Sequence, residues 1–195
     1  MANDTAPLQA LRAALDPHTA LLVESEPNRF YLTGFASSDG LLIVTPEKAT
    51  FLIDSRYSEK AAEVIEGVDV RRSSYRIEEI GELLNDAGCT HLFVEANSMS
   101  IRRLAALRAG LPGITIDESD RYDRKLVELR QIKSARELSL LRQAQQLTDE
   151  TFSYILEHIE AGRSERDIMR QRGRIVRLHR RVGQKFLAPA RRAHR

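Results

Sequence analysis

Gly40-Leu41-Leu42-Ile43-Val44-Thr45-Pro46-Glu47-Lys48-Ala49-Thr50-Phe51-Leu52-Ile53-Asp54 holds two apolar runs of strand length on either side of the turn Pro46-Glu47-Lys48. Two such runs joined by a short polar turn are the pattern of a β-hairpin. On its N-terminal side, Ala20-Leu21-Leu22-Val23 reads as a short buried strand, and Leu8, Leu11 and Leu15 share one face of a helix that ends near Asp16-Pro17. Downstream, Ser58 to Ile65 reads as a helix and Val68-Asp69-Val70 as a strand. Ile77, Ile80, Leu83 and Leu84 line a second helix that Gly88 stops, and His91-Leu92-Phe93-Val94-Glu95 is the next strand. Ile101, Leu104 and Leu107 mark a helix ended by Gly110, Pro112 and Gly113, before the strand Ile114-Thr115-Ile116. Strands and helices in alternation predict an α/β domain with a mixed central sheet and helices on its faces.

From Asp120 the pattern turns helical. Ser134-Ala135-Arg136-Glu137 is a capping box, and the helix it opens is expected to run to about Glu160. Its apolar positions, Leu138, Leu141, Leu147, Phe152, Ile155, Leu156 and Ile159, form a wide stripe that requires a covering surface. Gly162 ends it, and Ser164-Glu165-Arg166-Asp167 reads as the cap of a further helix. The expected organisation is one domain over 1–130, a linker and long helix over 131–168, and a separate tail over 169–195.

The 195 residues are 42% hydrophobic and 30% charged, the balance of a globular protein. One cysteine, Cys89, excludes a disulfide framework and a multi-thiolate zinc site, and it is expected to be a small buried filler. His18, His91, His158, His179 and His194 lack ligand spacing, and no phosphate loop, His-Glu-x-x-His or nucleophile elbow occurs. No catalytic residue and no metal ligand is assigned. No apolar run has the length of a membrane span, and Met1-Ala2-Asn3-Asp4 lacks the features of a secretory leader, so the cytoplasm is the expected location. The net charge of +2 hides a division: residues 170–195 carry 10 of the 30 Lys+Arg and none of the 28 Asp+Glu, which leaves the first 169 residues at −8.

Two clusters combine chemistry with position. Asn28-Arg29-Phe30-Tyr31-Leu32-Thr33-Gly34-Phe35 reads either as a segment capping the core, with Gly34 permitting a turn, or as part of a site. Asp54-Ser55-Arg56-Tyr57 comes directly after a predicted strand, where α/β proteins present ligand contacts; the plainer reading is a helix-start cap with a local Asp–Arg pair. These clusters, the hairpin, and Glu59 and Ala61 resemble the N-terminal domain of the creatinase, prolidase and Xaa-Pro aminopeptidase family. Leu126-Val127-Glu128-Leu129-Arg130-Gln131-Ile132-Lys133-Ser134, with Glu137, Leu141, Arg142, Ala144, Asp149 and Phe152, is similar to that family's linker and the first helix of its pita-bread catalytic domain.

The resemblance implies a creatinase-type N-terminal fold that helps form a homo-oligomer and covers a substrate mouth, with Tyr31, Asp54, Arg56 and Tyr57 as candidates for facing it. It implies short proline-containing peptides as substrates of the full-length family enzymes. It also implies two divalent ions, manganese, cobalt or zinc, held by ligands of the catalytic domain, so that no cofactor is expected on this chain and the chain by itself is expected to be inactive. The tail departs from the family. Val176 to Arg192 can be encoded so that the neighbouring frame reads Phe-Asp-Phe-Ile-Val-Ala-Ser-Gly-Lys-Asn-Ser-Ser-Arg-Pro-His-Gly, which resembles the early catalytic domain; an out-of-frame tail with its seam between Ile168 and Ile175 is therefore expected. Two other readings stay open, a stand-alone binding or dimerisation module and an Arg-rich arm for nucleic acid, although Phe186 is the arm's only aromatic.

Overall fold

A computed structural model describes residues 5–159 together with 161, 162, 164, 166 and 167. The elements run α1 (Ala6–Ala14), β1 (Thr19–Val23), α2 (Glu26–Thr33), β2 (Leu41–Val44), β3 (Ala49–Ile53), α3 (Ser58–Val64), β4 (Asp69–Arg72), α4 (Ile77–Asp86), β5 (His91–Val94), α5 (Ile101–Gly110), β6 (Thr115–Asp117), α6 (Arg121–Gln131) and α7 (Ala135–His158). They fall into two compact units that divide between Ile132 and Lys133.

In the first unit six strands form one sheet in the order β4-β3-β2-β1-β5-β6. The predicted hairpin is antiparallel with Val44 opposite Ala49, and β2 is also antiparallel to β1; β1, β5 and β6 run parallel, as do β3 and β4. β1, β2 and β3 are buried along their whole length. Helices on both faces explain why these strands lack polar alternation. Leu21, Val23, Leu42, Val44, Phe51 and Ile53 point into one core with α1, α2, α3 and α6. Ala20, Leu22, Leu41, Ile43 and Leu52 point into the other with α4 and α5. The period of two along each strand thus sorts the apolar side chains into the two layers. β4, at an edge, carries Asp69, Arg71 and Arg72 in exposed positions, charges that discourage pairing with another chain.

Asn28–Phe35, read from sequence as a segment capping the core with no secondary structure assigned to it, lies largely within helix α2. Pro27 sits in the first turn, where its missing N–H costs nothing, and Gly34 closes the helix at φ 65° with its N–H on the carbonyl of Phe30 at 2.7 Å.

In the second unit the main described element is α7. Ser134 opens it with the predicted box: its hydroxyl accepts the Glu137 N–H at 3.2 Å, and the Glu137 carboxylate accepts the Ser134 N–H at 2.8 Å. Leu138, Leu141, Phe152, Leu156 and Ile159 are exposed along the helix. The expected out-of-frame tail, 169–195, lies outside the described residues. Among the described residues no helix is long and apolar enough to cross a membrane.

Candidate functional site

The strand directions bring one set of ends together. The carboxyl ends of β1, β3, β4 and β5 and the amino end of β2 share a single edge of the sheet. Segments that leave a sheet at such an edge are free of ladder bonds and can turn their side chains to a ligand. Asp54, directly after β3, accepts the Arg56 backbone N–H on Oδ1 at 2.9 Å and the Arg56 Nε–H on Oδ2 at 2.7 Å. The bond from Arg56 lowers the Asp54 pKa below the ordinary carboxylate range, and Asp54 raises that of Arg56 in return.

Across from this pair stands the loop between α2 and β2. Asp39 lies 3.8 Å from the Arg56 guanidinium, and the hydroxyls of Ser38 and Tyr57 are 3.2 Å apart. The Tyr57 ring is edge-on to Phe35, and the Arg56 guanidinium lies over that ring at 5.4 Å. Five side chains from two segments therefore make one rim of mixed charge, with Ser38 and Arg56 exposed and Asp39, Asp54 and Tyr57 half-buried.

Beside the rim is an open cleft of about 340 Å³, lined by Glu24, Arg29, Ser38, Asp39, Tyr75 and Arg103 among others. Glu24 and Arg103 form an ion pair at 2.9 Å across it. The Tyr75 hydroxyl accepts the Asp54 N–H at 2.8 Å, and burial raises the Tyr75 pKa. Tyr75 has φ 64°, a conformation that a bulky side chain adopts only under constraint, and here it brings the ring back onto the end of β3. Arg29, 4% exposed, contributes a guanidinium whose pKa burial lowers.

The described residues at this edge do not form a metal site. Among the described residues no group of three or more His, Cys, Asp or Glu is placed to hold an ion. The two buried carboxylates at this edge are already occupied by hydrogen bonds. Glu95, 1% exposed, accepts from the backbone N–H groups of Glu24 and Ser25 at 2.6 and 2.8 Å, the Ser25 hydroxyl at 2.5 Å and the Asn28 amide at 2.7 Å. Asp123 accepts from the Ala96 N–H at 2.9 Å and the Asn97 amide at 3.3 Å. Cys89 is buried, as its place beside a turn and a strand suggests, and burial raises its thiol pKa.

Of the residues singled out from sequence, Asp54, Arg56 and Tyr57 stand together in the rim, and the local Asp–Arg pair is present as well. Tyr31 is placed with α6 instead, where its hydroxyl donates to the Leu129 carbonyl at 2.7 Å. Asp39 stands out in sequence only as part of the loop Ala36-Ser37-Ser38-Asp39 after the first cluster. Tyr75 and Arg103 carry no sequence signal, because each gains its role from a partner or neighbour in another segment.

The sequence profile of the Creatinase/Prolidase N-terminal domain matches residues 8–132, most of the first unit. The chain belongs to this family. It is 30% identical over 149 residues to the uncharacterized peptidase YqhT of Bacillus subtilis, a match that covers 74% of this chain and 40% of that protein. The Xaa-Pro dipeptidase from Bacillus anthracis superposes with a TM-score of 0.78 at 25% identity, over 91% of this chain and 50% of that one. An Xaa-Pro aminopeptidase structure from Streptococcus pyogenes matches with a TM-score of 0.52 at 31% identity, over 57% of this chain and 87% of that one. The creatinase/prolidase N-terminal chain thus spans half or less of the first two relatives.

Proposed function

We propose that this chain acts as the substrate-gating and dimerisation part of a proline-specific peptidase of the cytoplasm, and that it does not hydrolyse peptides by itself. The observation that carries the reading is the rim of Ser38, Asp39, Asp54, Arg56 and Tyr57 at the carboxyl edge of the sheet, in a chain of this family. A rim with both charge signs and an aromatic ring can meet the two charged ends and the proline ring of a short peptide. It has no group suited to break the bond. Cleavage before proline by two divalent ions needs several fixed anionic and imidazole ligands with open coordination positions. The buried carboxylates of Glu95 and Asp123 already receive hydrogen bonds, so they are poor substitutes. In this reading manganese, cobalt or zinc belongs to the portion of the relatives that this chain does not span, and a second copy of the chain is its partner.

The test is a titration of the isotopically labelled chain with proline-containing dipeptides and tripeptides, monitored by NMR. Amide signals of Ser38, Asp39 and residues 54–57 are expected to move together and saturate. The same samples are expected to leave the peptides uncut with manganese, cobalt or zinc present. Saturable shifts elsewhere with a silent rim, or metal-dependent turnover by the purified chain, would overturn the proposal.

A further inference from the structure

The loop 34–40 carries Ser38 and Asp39, yet among the described residues no backbone–backbone hydrogen bond outside the strands and helices engages residues 36–39. Within the loop, Asp39 Oδ1 accepts the Gly40 N–H at 3.0 Å, while the Ser37 hydroxyl is buried without a hydrogen-bond partner. Phe35 anchors the start of the loop in the core, and the backbone carbonyls that follow are held from α2. The Arg29 guanidinium donates from Nη2 to the Ser37 carbonyl at 3.0 Å and from Nη1 to the Gly40 carbonyl at 2.8 Å and to the Glu24 carbonyl. One planar group therefore ties the end of β1, the middle of the loop and the start of β2 together.

This arrangement is costly in isolation. Burying a cation away from water is unfavourable unless it is paired. Among the described residues no carboxylate lies within 4.0 Å of the Arg29 guanidinium, and its Nε–H has no partner. A neutral apolar residue would fill the volume but leave the Glu24, Ser37 and Gly40 carbonyls without these donors. The group that is present supplies several donors in a fixed plane, a geometry that a lysine ammonium cannot reproduce.

We propose that Arg29 is the positioning residue of the rim: by holding three backbone carbonyls it fixes the loop so that Ser38 reaches Tyr57 and Asp39 faces Arg56. The functional weight of this role rests on the rim being the substrate mouth, whereas the holding itself is testable without any substrate. The experiment compares the full 195-residue chain with Arg29→Met and Arg29→Lys by amide hydrogen exchange and NMR. In Arg29→Met, exchange within 35–40 is expected to be faster by about tenfold or more at the Phe35 and Gly40 amides, which donate to Thr33 Oγ1 at 3.2 Å and to Asp39 Oδ1 at 3.0 Å and are freed when the loop is released. Amides of β1 and β5 are expected to keep their protection. The ring signals of Tyr57 and the Nε–H signal of Arg56, neither of which bonds to Arg29, are expected to shift as the loop is released. A merely structural role would lower protection evenly across the sheet and leave those two signals in place. If Arg29→Met fails to fold, Arg29→Lys decides: acceleration confined to 35–40 supports the proposal, and even acceleration across the sheet overturns it. Unchanged exchange at 35–40 in a folded Arg29→Met also overturns it. Absence of peptide-induced shifts in the unsubstituted chain would remove the mouth reading alone, leaving the exchange result to stand or fall by itself.

Discussion

At the scale of single residues, the carboxyl edge shows how one pattern of atoms serves two ends. Asp54 is half-buried, and its two bonds from Arg56 favour the charged form. A carboxyl whose pKa is lower in the folded state contributes stability that is present above the ordinary carboxylate range and lost as pH falls through the depressed value. NMR of the Asp54 carboxyl carbon is expected to show titration below an ordinary aspartate, and Arg56→Gln is expected to move it upward. No change on substitution would mean that the pair has no hold on the proton. Glu95 is the buried counterpart. Its four donors all point at a carboxylate, so Glu95→Gln sets an amide N–H against donors that have no other acceptor there. A loss of about 2–3 kcal/mol in urea unfolding is expected, and a loss well under 1 kcal/mol would show that the network is replaceable. Gly40 is tied to its residue type by space and φ together. At φ 131° a Cβ would lie 2.8 Å from the Phe51 ring, so any other residue would displace the same turn that Arg29 holds.

At the scale of elements, α2 and α7 are opposite cases. α2 is only eight residues long, too short to stand alone, and Phe30, Tyr31 and Thr33 are modest helix formers. It forms because its ends are closed, by Glu95 from a distant part of the chain at one end and by its own Gly34 turn at the other. α7 declares itself locally through its capping box and 24-residue length. Ser134→Ala is expected to cost about 1 kcal/mol, read as loss of helical circular dichroism at a lower temperature on heating. The exposed Leu141, at 54%, and Phe152, at 60%, give α7 an apolar surface that favours association. Light scattering is expected to find dimers or larger species, and Leu141→Glu with Phe152→Glu is expected to reduce them. A monomer at high concentration before substitution would contradict this.

At the scale of the molecule, the buried members of both hydrophobic cores among the described residues lie between Leu8 and Leu126, with Leu129 packed against one of them. The first unit therefore holds a complete core on each face of its sheet. A chain ending at Ile132 is expected to fold and to unfold cooperatively in urea, with near-ultraviolet circular dichroism like that of the full chain. A gradual, non-cooperative transition would show that the sheet depends on residues 133–195. The two layers also explain why the edge is where chemistry collects. Both faces of the sheet are covered, so a strand end is where a side chain can leave the core and still be held by it.

The local content of this protein was legible without a structure. The apolar runs of β1, β2 and β3, the capping box of α7 and the Asp54–Arg56 pair depend on neighbours within a few residues, and the spacing of residue types reports them directly. The family resemblance was legible for the same reason, since it rests on contiguous stretches. Only the tertiary structure decided what Arg29, Glu95 and Asp123 do. In sequence a charged residue reads as solvated surface, because water is its cheapest partner. Glu95 meets its donors 67 to 71 positions back along the chain, and Asp123 reaches back 27 to Ala96. Such partners become neighbours only when the sheet order is settled, and until then no local pattern distinguishes a buried, fully bonded charge from an exposed one.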